Sequence, residues 1–513
     1  MMLKNISLSN NLKMKKMKKL ITLLGLLGFI ITGCEEELTI FPEDSLSTPT
    51  FFTTEADFTQ AINGAYAPLR SINNRTKAFL GEMHSDNTYF ARNTAFGATE
   101  QQEDLADFAV PTTGGITTNR HVQDLYVNSY SIIARANQIL ATIDDAEFEG
   151  AEKDNIKGQA LFLRAYSYFD LGQFFGGVPL HLVPVETREE AALPLSGQDV
   201  IFSQVIADVQ AAIGLLPTKS NQQPGRVTSG AAQTLLGNVF MVQQKWSEAE
   251  TQFRAVVSSG QYELMANYED AFSGNSDNKN NIESVFEIQY KEGAEGFSGS
   301  FMYSFMPRPM TDVEVGVVMG TSNPQPINGE GNNIPTPDII AAYEDGDLRK
   351  DASIQYVTAS ESFWEDGVYP VIKKYVEPHS ENGNHGMNWP IYRYSEVLLF
   401  LAEALEEQGK AEALTHLNTV RARAGLGDLL SGDLGEAIFN ERRVELAFEN
   451  KRWLDLVRTG RAVSVITAYG NRIKANPIDY YYPAGITPRS NSFSNISLLY
   501  GLPASESSLN PNF

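Results

Sequence analysis

Cysteine is almost absent from this chain, since Cys34 is the single cysteine among 513 residues. One thiol excludes an internal disulfide framework and a cysteine-based metal site. The six histidines are scattered, and His379 and His385 share a loop without the spacing of zinc ligands. The sequence also lacks a Gly-x-Ser-x-Gly elbow, a P-loop and a dinucleotide-binding fingerprint. We therefore predict no cofactor and no metal centre.

Acidic residues are missing from the first 33 positions, which carry six lysines. A run of 12 uncharged residues, LITLLGLLGFII, follows these lysines and ends just before Thr32-Gly33-Cys34. A basic segment, a short apolar run and small residues are typical of a secretory signal peptide. The run is shorter than the ~20 residues that a membrane-spanning helix needs. We predict that residues 1–33 are a signal peptide, with Met14 or Met17 as alternative start sites.

Ile31-Thr32-Gly33-Cys34 resembles the bacterial lipobox, in which the cysteine sulfur receives a diacylglycerol and the leader is then cut off just before the cysteine. The resemblance implies lipidation at Cys34, an outer-membrane anchor and an acidic tether over residues 34–50; an ordinary signal peptide with an incidental cysteine is the alternative. Glu35–Glu37 resemble the signal that displays Bacteroidetes lipoproteins on the cell surface. A solvated charge run is the other interpretation of these three residues.

Basic residues are scarce in the mature chain. Without the six leader lysines, 34 basic residues face 63 acidic ones, a formal charge of about −29. Such a field repels phosphate backbones, so we expect no nucleic-acid partner. A neutral sugar is indifferent to it.

Helical periodicity recurs through the first half of the chain, where TEADFTQAINGAYAPLR begins with a predicted capping box of Thr54 and Asp57. In TLLGNVFMVQQKWSEAETQF, Gly237 and Phe240 are followed by Ala249 and Phe253, the spacing of a tetratricopeptide repeat. Residues 398–425 and the segment around Gly172 repeat this pattern more loosely. We predict a mainly α fold, a tetratricopeptide-like helical superhelix, with unrelated helical hairpins as the alternative.

Between residues 265 and 390 the composition shifts toward Gly, Asn, Pro and Ser. SVFEIQY and VIKKYV alternate as strands do, so we predict a long irregular insertion with short strands. The domain prediction is a single domain over 51–513, with helical repeats at about 51–260 and 391–460.

Three segments together, residues 157–180, 389–426 and 440–462, resemble the SusD/RagB family of Bacteroidetes outer-membrane lipoproteins. The ending SSLNPNF matches that family only in part. The resemblance implies a cell-surface lid on a SusC-like TonB-dependent barrel, in an uptake system that is usually for glycans. The expected partners are thus this barrel, a glycan and the outer membrane.

Two charged motifs invite a chemical interpretation. NERRVELAFENKRWLDLVR places Glu441, Glu445 and Asp455 among apolar residues at helical spacing, so we expect buried ion pairs with Arg442, Arg443 or Arg458 rather than acid–base catalysis. In YEDGDLRKD the acidic residues lack the spacing of an EF-hand, and the family resemblance implies that Asp347 and Arg349 lock a turn.

The predicted ligand site centres on the loop GEMHSDNTYFARNTAFG, residues 81–97. It mixes aromatic rings with amides, a carboxylate and an arginine, the groups that stack on sugars and bond their hydroxyls; packing of the rings into the helices is the alternative. Secondary contributors are expected from residues 301–308 and from a loop with two tryptophans. The candidate residues are Asp86, Asn87, Tyr89, Phe90, Arg92, Asn93, Phe96, Tyr303, Trp364 and Trp389.

The sequence therefore predicts a surface lipoprotein that captures oligosaccharides without cleaving them. A peptide-binding lid of the same kind of transporter is the main alternative. A surface glycosidase is disfavoured because no exposed pair of carboxylates stands out.

Overall fold

A computed structural model describes residues 51–91, 100–109, 116–272, 278–321, 330–379 and 383–512. Cys34 and the signal-peptide segment lie outside these residues, as do Arg92, Asn93 and Phe96. None of the helices in the described ranges combines the length and the apolar composition of a membrane span.

The first part of the described chain is helical. Its helices are α1 (Glu55–Ser71), α2 (Glu100–Ala106), α3 (Arg120–Thr142), α4 (Ala151–Phe175), α5 (Arg188–Ala191), α6 (Gln198–Leu215), α7 (Ser229–Val242) and α8 (Trp246–Ser258). The predicted capping box starts α1, because the Thr54 side chain accepts from Asp57 N–H and the Asp57 carboxylate accepts from Thr54 N–H. Two π-helical turns, Ile72–Thr76 and Ala78–Met83, follow α1.

The repeat residues do what the tetratricopeptide pattern requires. A Cβ on Gly237 would lie 2.6 Å from the Phe253 ring, so only glycine lets α7 and α8 approach this closely. A Cβ on Gly172 of α4 would likewise lie 2.5 Å from the Phe202 ring of α6, so glycine allows these two helices to approach as well. The mainly α prediction is confirmed by these paired helices.

The middle of the chain carries short strands and short helices. The antiparallel pairs are β1 (Thr88–Tyr89) with β5 (Ile334–Pro335), β2 (Val178–Pro179) with β3 (Leu195–Ser196), β4 (Ser284–Ile288) with β8 (Trp389–Arg393), and β6 (Ile354–Thr358) with β7 (Val368–Ile372). The short helices are α9 (Phe301–Ser304), α10 (Asp312–Met319), α11 (Pro337–Ala342) and α12 (Leu348–Ser353). SVFEIQY contains β4 as predicted, whereas only the first two residues of VIKKYV belong to a strand.

Helices return after β8. They are α13 (Tyr394–Glu406), α14 (Ala413–Arg423), α15 (Leu434–Glu445), α16 (Arg452–Arg458), α17 (Ala462–Ala475) and α18 (Ala504–Leu509). A buried apolar cluster joins α13, α14 and α15 through Leu399, Leu417 and Ile438.

The charged motif on α15 and α16 is buried and paired. Asp455 contacts Arg442 at 3.0 Å and Arg458 at 2.8 Å, as predicted. Glu441 and Glu445 instead pair with arginines from other elements, because the chain brings distant cations into the same interior. We call this set the buried ion network: Arg349, Lys374, Arg393 and Arg423 with Asp347, Glu283, Glu441, Glu445 and Glu449.

Asp347 and Arg349 form the predicted turn lock. Asp347 Oδ1 accepts from both the backbone N–H and Nε of Arg349 at 2.9 Å, and Asp347 Oδ2 accepts from Nη2 at 2.7 Å. The same Asp347 caps the start of α12. Its charge is therefore used for structure.

Candidate functional site

A groove open to solvent lies beside the second half of α1. It consists of three adjoining cavities of about 380, 420 and 90 Å³, the two larger of which share Arg70 and Tyr290. Its other walls are the turn 223–226, the segment 287–298, which starts in the last two residues of β4, and one face of α3. We call it the α1 groove.

One end of the groove is built around the Tyr66 ring. The Tyr66 hydroxyl donates to Gln159 Oε1 and accepts from Val227 N–H, both at 3.1 Å. The Arg226 guanidinium lies 5.0 Å from the centre of the ring and donates to Asn63 Oδ1. Burial raises the pKa of the Tyr66 hydroxyl to about 12, against the opposing effects of the Val227 N–H and the Arg226 charge. The hydroxyl therefore stays protonated.

The turn that carries Arg226 comes very close to the opposite wall. Gly225 has φ +84°, and a Cβ there would lie 2.6 Å from Cγ of Gln289. Glycine is required for both reasons, conformation and space. The sequence Pro224-Gly225-Arg226 thus fixes where the guanidinium enters the groove.

The middle of the groove holds an exposed ring. Phe297 is 43% exposed, and the guanidinium of Arg70 lies 4.8 Å from the centre of its ring. A hydrogen bond of 2.9 Å from Lys291 N–H to the Phe297 carbonyl closes the loop that presents it. Below it, the buried Tyr290 donates to the Arg70 carbonyl at 2.9 Å, which ties the loop to α1.

At its far end the groove is bordered by the π-helical turn after α1 and by the start of α9. Asn74, which lines the groove, donates to Ser300 Oγ at 3.1 Å and accepts from Ser300 N–H at 2.9 Å. Arg75 contacts Glu330 at 2.8 Å, and next to it Ala91 N–H donates to the Gly331 carbonyl at 2.8 Å. Ala91, the last described residue before 92–99, and Glu330, the first after 322–329, therefore lie close together near this end of the groove.

The predicted loop residues that the structure describes lie in the interior. Asp86 is buried and contacts Arg452 at 2.7 Å and Arg443 at 2.9 Å. Asn87 donates to Glu82 and accepts from Arg443, both at 2.9 Å. These polar groups are satisfied by protein partners, so the expectation that they face a ligand is wrong.

The aromatic rings of this loop are also inside. Tyr89 is 1% exposed, and its hydroxyl bonds Asp107 and, at 2.7 Å, the hydroxyl of Tyr482. Phe90 is 6% exposed. Both rings serve packing, because β1 pairs with β5 and draws them under the surface. The predicted role of Arg92, Asn93 and Phe96 stays a prediction.

The three secondary candidates do not form one surface. Tyr303 is buried with its hydroxyl against His379. Trp389 is 1% exposed and stacks on Tyr375 at 4.6 Å. Trp364 is half-buried, and its indole N–H donates to the Ile478 carbonyl at 2.8 Å. The structure places Tyr303 and Trp389 in the core as structural residues, against the expectation.

Sequence reasoning missed Phe297, whose neighbourhood carried a usable signal. In the stretch EGAEGFSGS the only other apolar side chain is the small Ala294, so a phenylalanine there has little local core to enter. Arg70 and Arg226 gave no such signal, since their convergence depends on the fold. Across the described ranges, no group of three His, Cys, Asp or Glu side chains is placed to hold a metal ion.

Two family profiles match the sequence. The profile of the SusD family matches residues 358–513, and a SusD-like profile described as "Starch-binding associating with outer membrane" matches residues 41–241. The chain belongs to the SusD/RagB family.

Relatives of this SusD-family chain extend over most of its length. SusD-like protein P25 of Formosa agariphila is 28% identical over 487 residues, covering 85% of this chain and 89% of that protein. A SusD-like protein of Bacteroides ovatus is 25% identical and covers 81% of this chain and 78% of that protein.

Solved structures confirm the fold of this family. A laminarin-binding SusD-like protein superposes with a TM-score of 0.71 at 24% identity, covering 90% of this chain and 98% of that one. Surface glycan-binding protein A from Bacteroides uniformis gives a TM-score of 0.70 at 23% identity, with 90% and 99% covered. At this identity the likeness establishes the helical architecture.

Proposed function

We propose that the mature chain is a lipid-anchored protein of the cell surface that binds oligosaccharides in the α1 groove without cleaving them. The observation that carries this proposal is the exposed Phe297 ring beside amide and guanidinium donors in a chain of the SusD/RagB family. Sugars offer apolar C–H faces to a ring and hydroxyls to amides, and the groove supplies both kinds of partner. The same ligand class is supported by a matching family profile described as starch-binding and by structural relatives described as laminarin-binding and glycan-binding.

The carboxylates of the groove support binding over hydrolysis. Glycoside hydrolysis uses two carboxylates on either side of the scissile bond. Among the residues that line the three cavities, Glu287 is the one acidic residue. It is buried and accepts from Asn280 N–H at 2.7 Å and from Asn388 Nδ2 at 2.6 Å. With this single, hydrogen-bonded carboxylate among the described lining residues, the groove supports binding over hydrolysis.

Calorimetric titration of the purified mature protein against a panel of oligosaccharides tests the proposal. We expect dissociation constants of about micromolar to millimolar. Phe297→Ala should weaken binding about fivefold, since ring stacking contributes on the order of 1 kcal/mol. Phe363→Ala is the matched control, because Phe363 is similarly exposed, at 38%, but lies outside the groove. Equal affinities of the wild type, Phe297→Ala and Phe363→Ala would show that the α1 groove is not the binding site.

The cellular part of the proposal concerns Cys34 and the partner barrel. We propose a lid on a SusC-like TonB-dependent barrel, because a surface binder needs a pore to deliver its cargo across the outer membrane. Cys34→Ser should abolish incorporation of labelled fatty acid and release the protein from the membrane. The unaltered protein should be removed from intact cells by protease and should co-purify with a barrel in mild detergent. Recovery of a barrel-free lipoprotein from native membranes would argue for a free-standing binder.

A further inference from the structure

The arginines of the α1 groove differ from most arginines of the chain. Most described arginines contact a carboxylate, as Arg164 contacts Asp208 and Arg452 contacts Asp86, both at 2.7 Å. Arg70, Arg135 and Arg226 have no carboxylate partner in the part of the chain that the structure describes. All three line the α1 groove. A chain with 63 acidic and only 40 basic residues has thus left three cations unmatched on one surface.

The three side chains keep donors available. The guanidinium of Arg70 lies over the Phe297 ring and makes no hydrogen bond within the described residues. Arg226 donates to the neutral amides of Asn63 and Gln159. Arg135, which is exposed on α3, donates to the Gly64 carbonyl. A guanidinium has five N–H donors, so each group can still bind an anion.

Nearby carboxylates do not neutralise these arginines. Glu287, the acidic residue that lines the groove, points its Oε1 at Asn280 and Asn388. Lys291 lies at the groove edge and contacts Glu295 at 3.0 Å, an exposed pair of little energetic consequence. The local charge of the groove is therefore positive.

The negative charge of the whole chain does not prevent anion binding here. The Debye length is ~8 Å at physiological ionic strength, so distant acidic residues are largely screened. Contacts within the groove, between a guanidinium and an anion, decide the affinity instead. Arginine suits carboxylates and sulfates because its planar fork forms two parallel hydrogen bonds with them.

We propose that the ligand of the α1 groove is an acidic glycan, whose carboxylate or sulfate groups pair with Arg70, Arg135 and Arg226 while a sugar face stacks on Phe297. This inference rests on the proposed function and specifies its substrate class. Carboxylate and sulfate share the relevant chemistry, and the experiment below separates them.

Binding is measured by calorimetry for matched pairs of glycans. One pair is polygalacturonate oligosaccharides and their methyl esters; the other is oligosaccharides of a sulfated galactan and their desulfated forms. Laminarin oligosaccharides and hexaglutamate complete the set. We expect at least one acidic glycan to bind about tenfold or more tightly than its neutralised partner, and its affinity to fall severalfold between low and high salt.

The variant Arg70→Gln/Arg135→Gln/Arg226→Gln should lose about tenfold in affinity for the acidic glycan, since it removes three exposed ion pairs, each of which contributes modestly. Arg188→Gln is the matched control, because Arg188 is exposed and also forms no ion pair among the described residues, but lies outside the groove. Circular dichroism and melting curves establish that the variants are folded.

The outcomes separate this inference from the proposed function. Tight binding of laminarin or of the neutralised glycans, with acidic forms no better, overturns the acidic-glycan inference and leaves glycan capture standing. Acidic-glycan binding that the triple variant retains overturns the inference as well. Binding of hexaglutamate alone would point to peptides, and the absence of any glycan binding would overturn the proposed function itself.

Discussion

Arginine serves opposite purposes in the buried ion network and in the α1 groove. In the network, Arg393 contacts Glu283, Glu445 at 3.0 Å and Glu449 at 2.8 Å, and its side chain is 2% exposed. In the groove, Arg70 contacts a phenylalanine ring and no carboxylate among the described residues. A matched, buried cation fixes the fold, whereas an unmatched cation at the surface is available to a ligand.

The comparison also shows why conspicuous charge in a sequence is a poor guide to function. The densest charged motif, around Glu441 and Arg442, is buried in the protein interior and forms ion pairs there. Burial would raise the pKa of Glu445, but the charges of Arg423, Arg393 and Arg349 hold it well below its usual range. Those charges are therefore committed to one another, and a ligand would have to unfold the region to reach them.

The largest expected effect comes from breaking the network. Glu445→Gln leaves Arg349, Arg393 and Arg423 buried with too few negative charges, which destabilises the protein by about 3–5 kcal/mol. Chemical denaturation monitored by circular dichroism measures this loss. The matched control is Glu436→Gln, which removes an exposed pair with Arg461 and should change the free energy of unfolding by less than about 1 kcal/mol. Similar values for the two variants would mean that burial does not distinguish these charges.

Tyr89→Ala should be nearly as damaging, because it leaves a cavity in the core and removes one hydrogen-bond partner each from Asp107 and Tyr482. We expect a loss of about 3–5 kcal/mol and a large fall in melting temperature. The exposed Phe297 provides the contrast: Phe297→Ala should lower glycan affinity with little change in melting. If Tyr89→Ala melted like the wild type and lost affinity, the loop prediction from the sequence would be restored.

Acid should destabilise the protein through the buried carboxylate of Asp86. Burial would raise the pKa of Asp86, but the charges of Arg452 and Arg443 lower it to about 2. Since this folded value lies below the unfolded value of 3.8, the stabilisation is present above pH 4 and is lost as the pH falls toward 2. The difference corresponds to about 2 kcal/mol. Denaturation midpoints measured from pH 6 to pH 2 should fall, and the Asp86→Asn variant should show a weaker fall over the same interval.

Much of the fold was predictable from local pattern. Gly237 and Phe253 sit at repeat spacing in one continuous segment, so their contact is encoded within about one helical hairpin. The capping box of Thr54 and Asp57 is more local still. Periodicity and capping depend on residues that are close in the sequence, which is why both can be predicted from the sequence alone.

The candidate site was not predictable in the same way. Arg70, Arg226 and Phe297 are far apart in sequence, and no periodicity links them. Tyr89 and Phe90 misled because an irregular, polar stretch resembles an exposed loop, yet β1 pairs with a strand some 245 residues later and buries both rings. Long-range pairing of this kind leaves no mark in the local composition.

The smallest expected effect comes from removing a groove arginine on its own. Arg135→Gln loses one hydrogen bond to the Gly64 carbonyl at an exposed position and no ion pair within the described residues. Surface changes of this kind usually alter the free energy of unfolding by less than about 0.5 kcal/mol. Arg393→Gln, which opens the buried ion network, is the comparison and should cost several-fold more, since it leaves Glu283, Glu445 and Glu449 short of positive charge. Urea denaturation of both variants beside the wild type gives the two values. A loss above about 2 kcal/mol for Arg135→Gln would show that this arginine holds α3 against α1, and the groove would then have one fewer cation to offer a ligand.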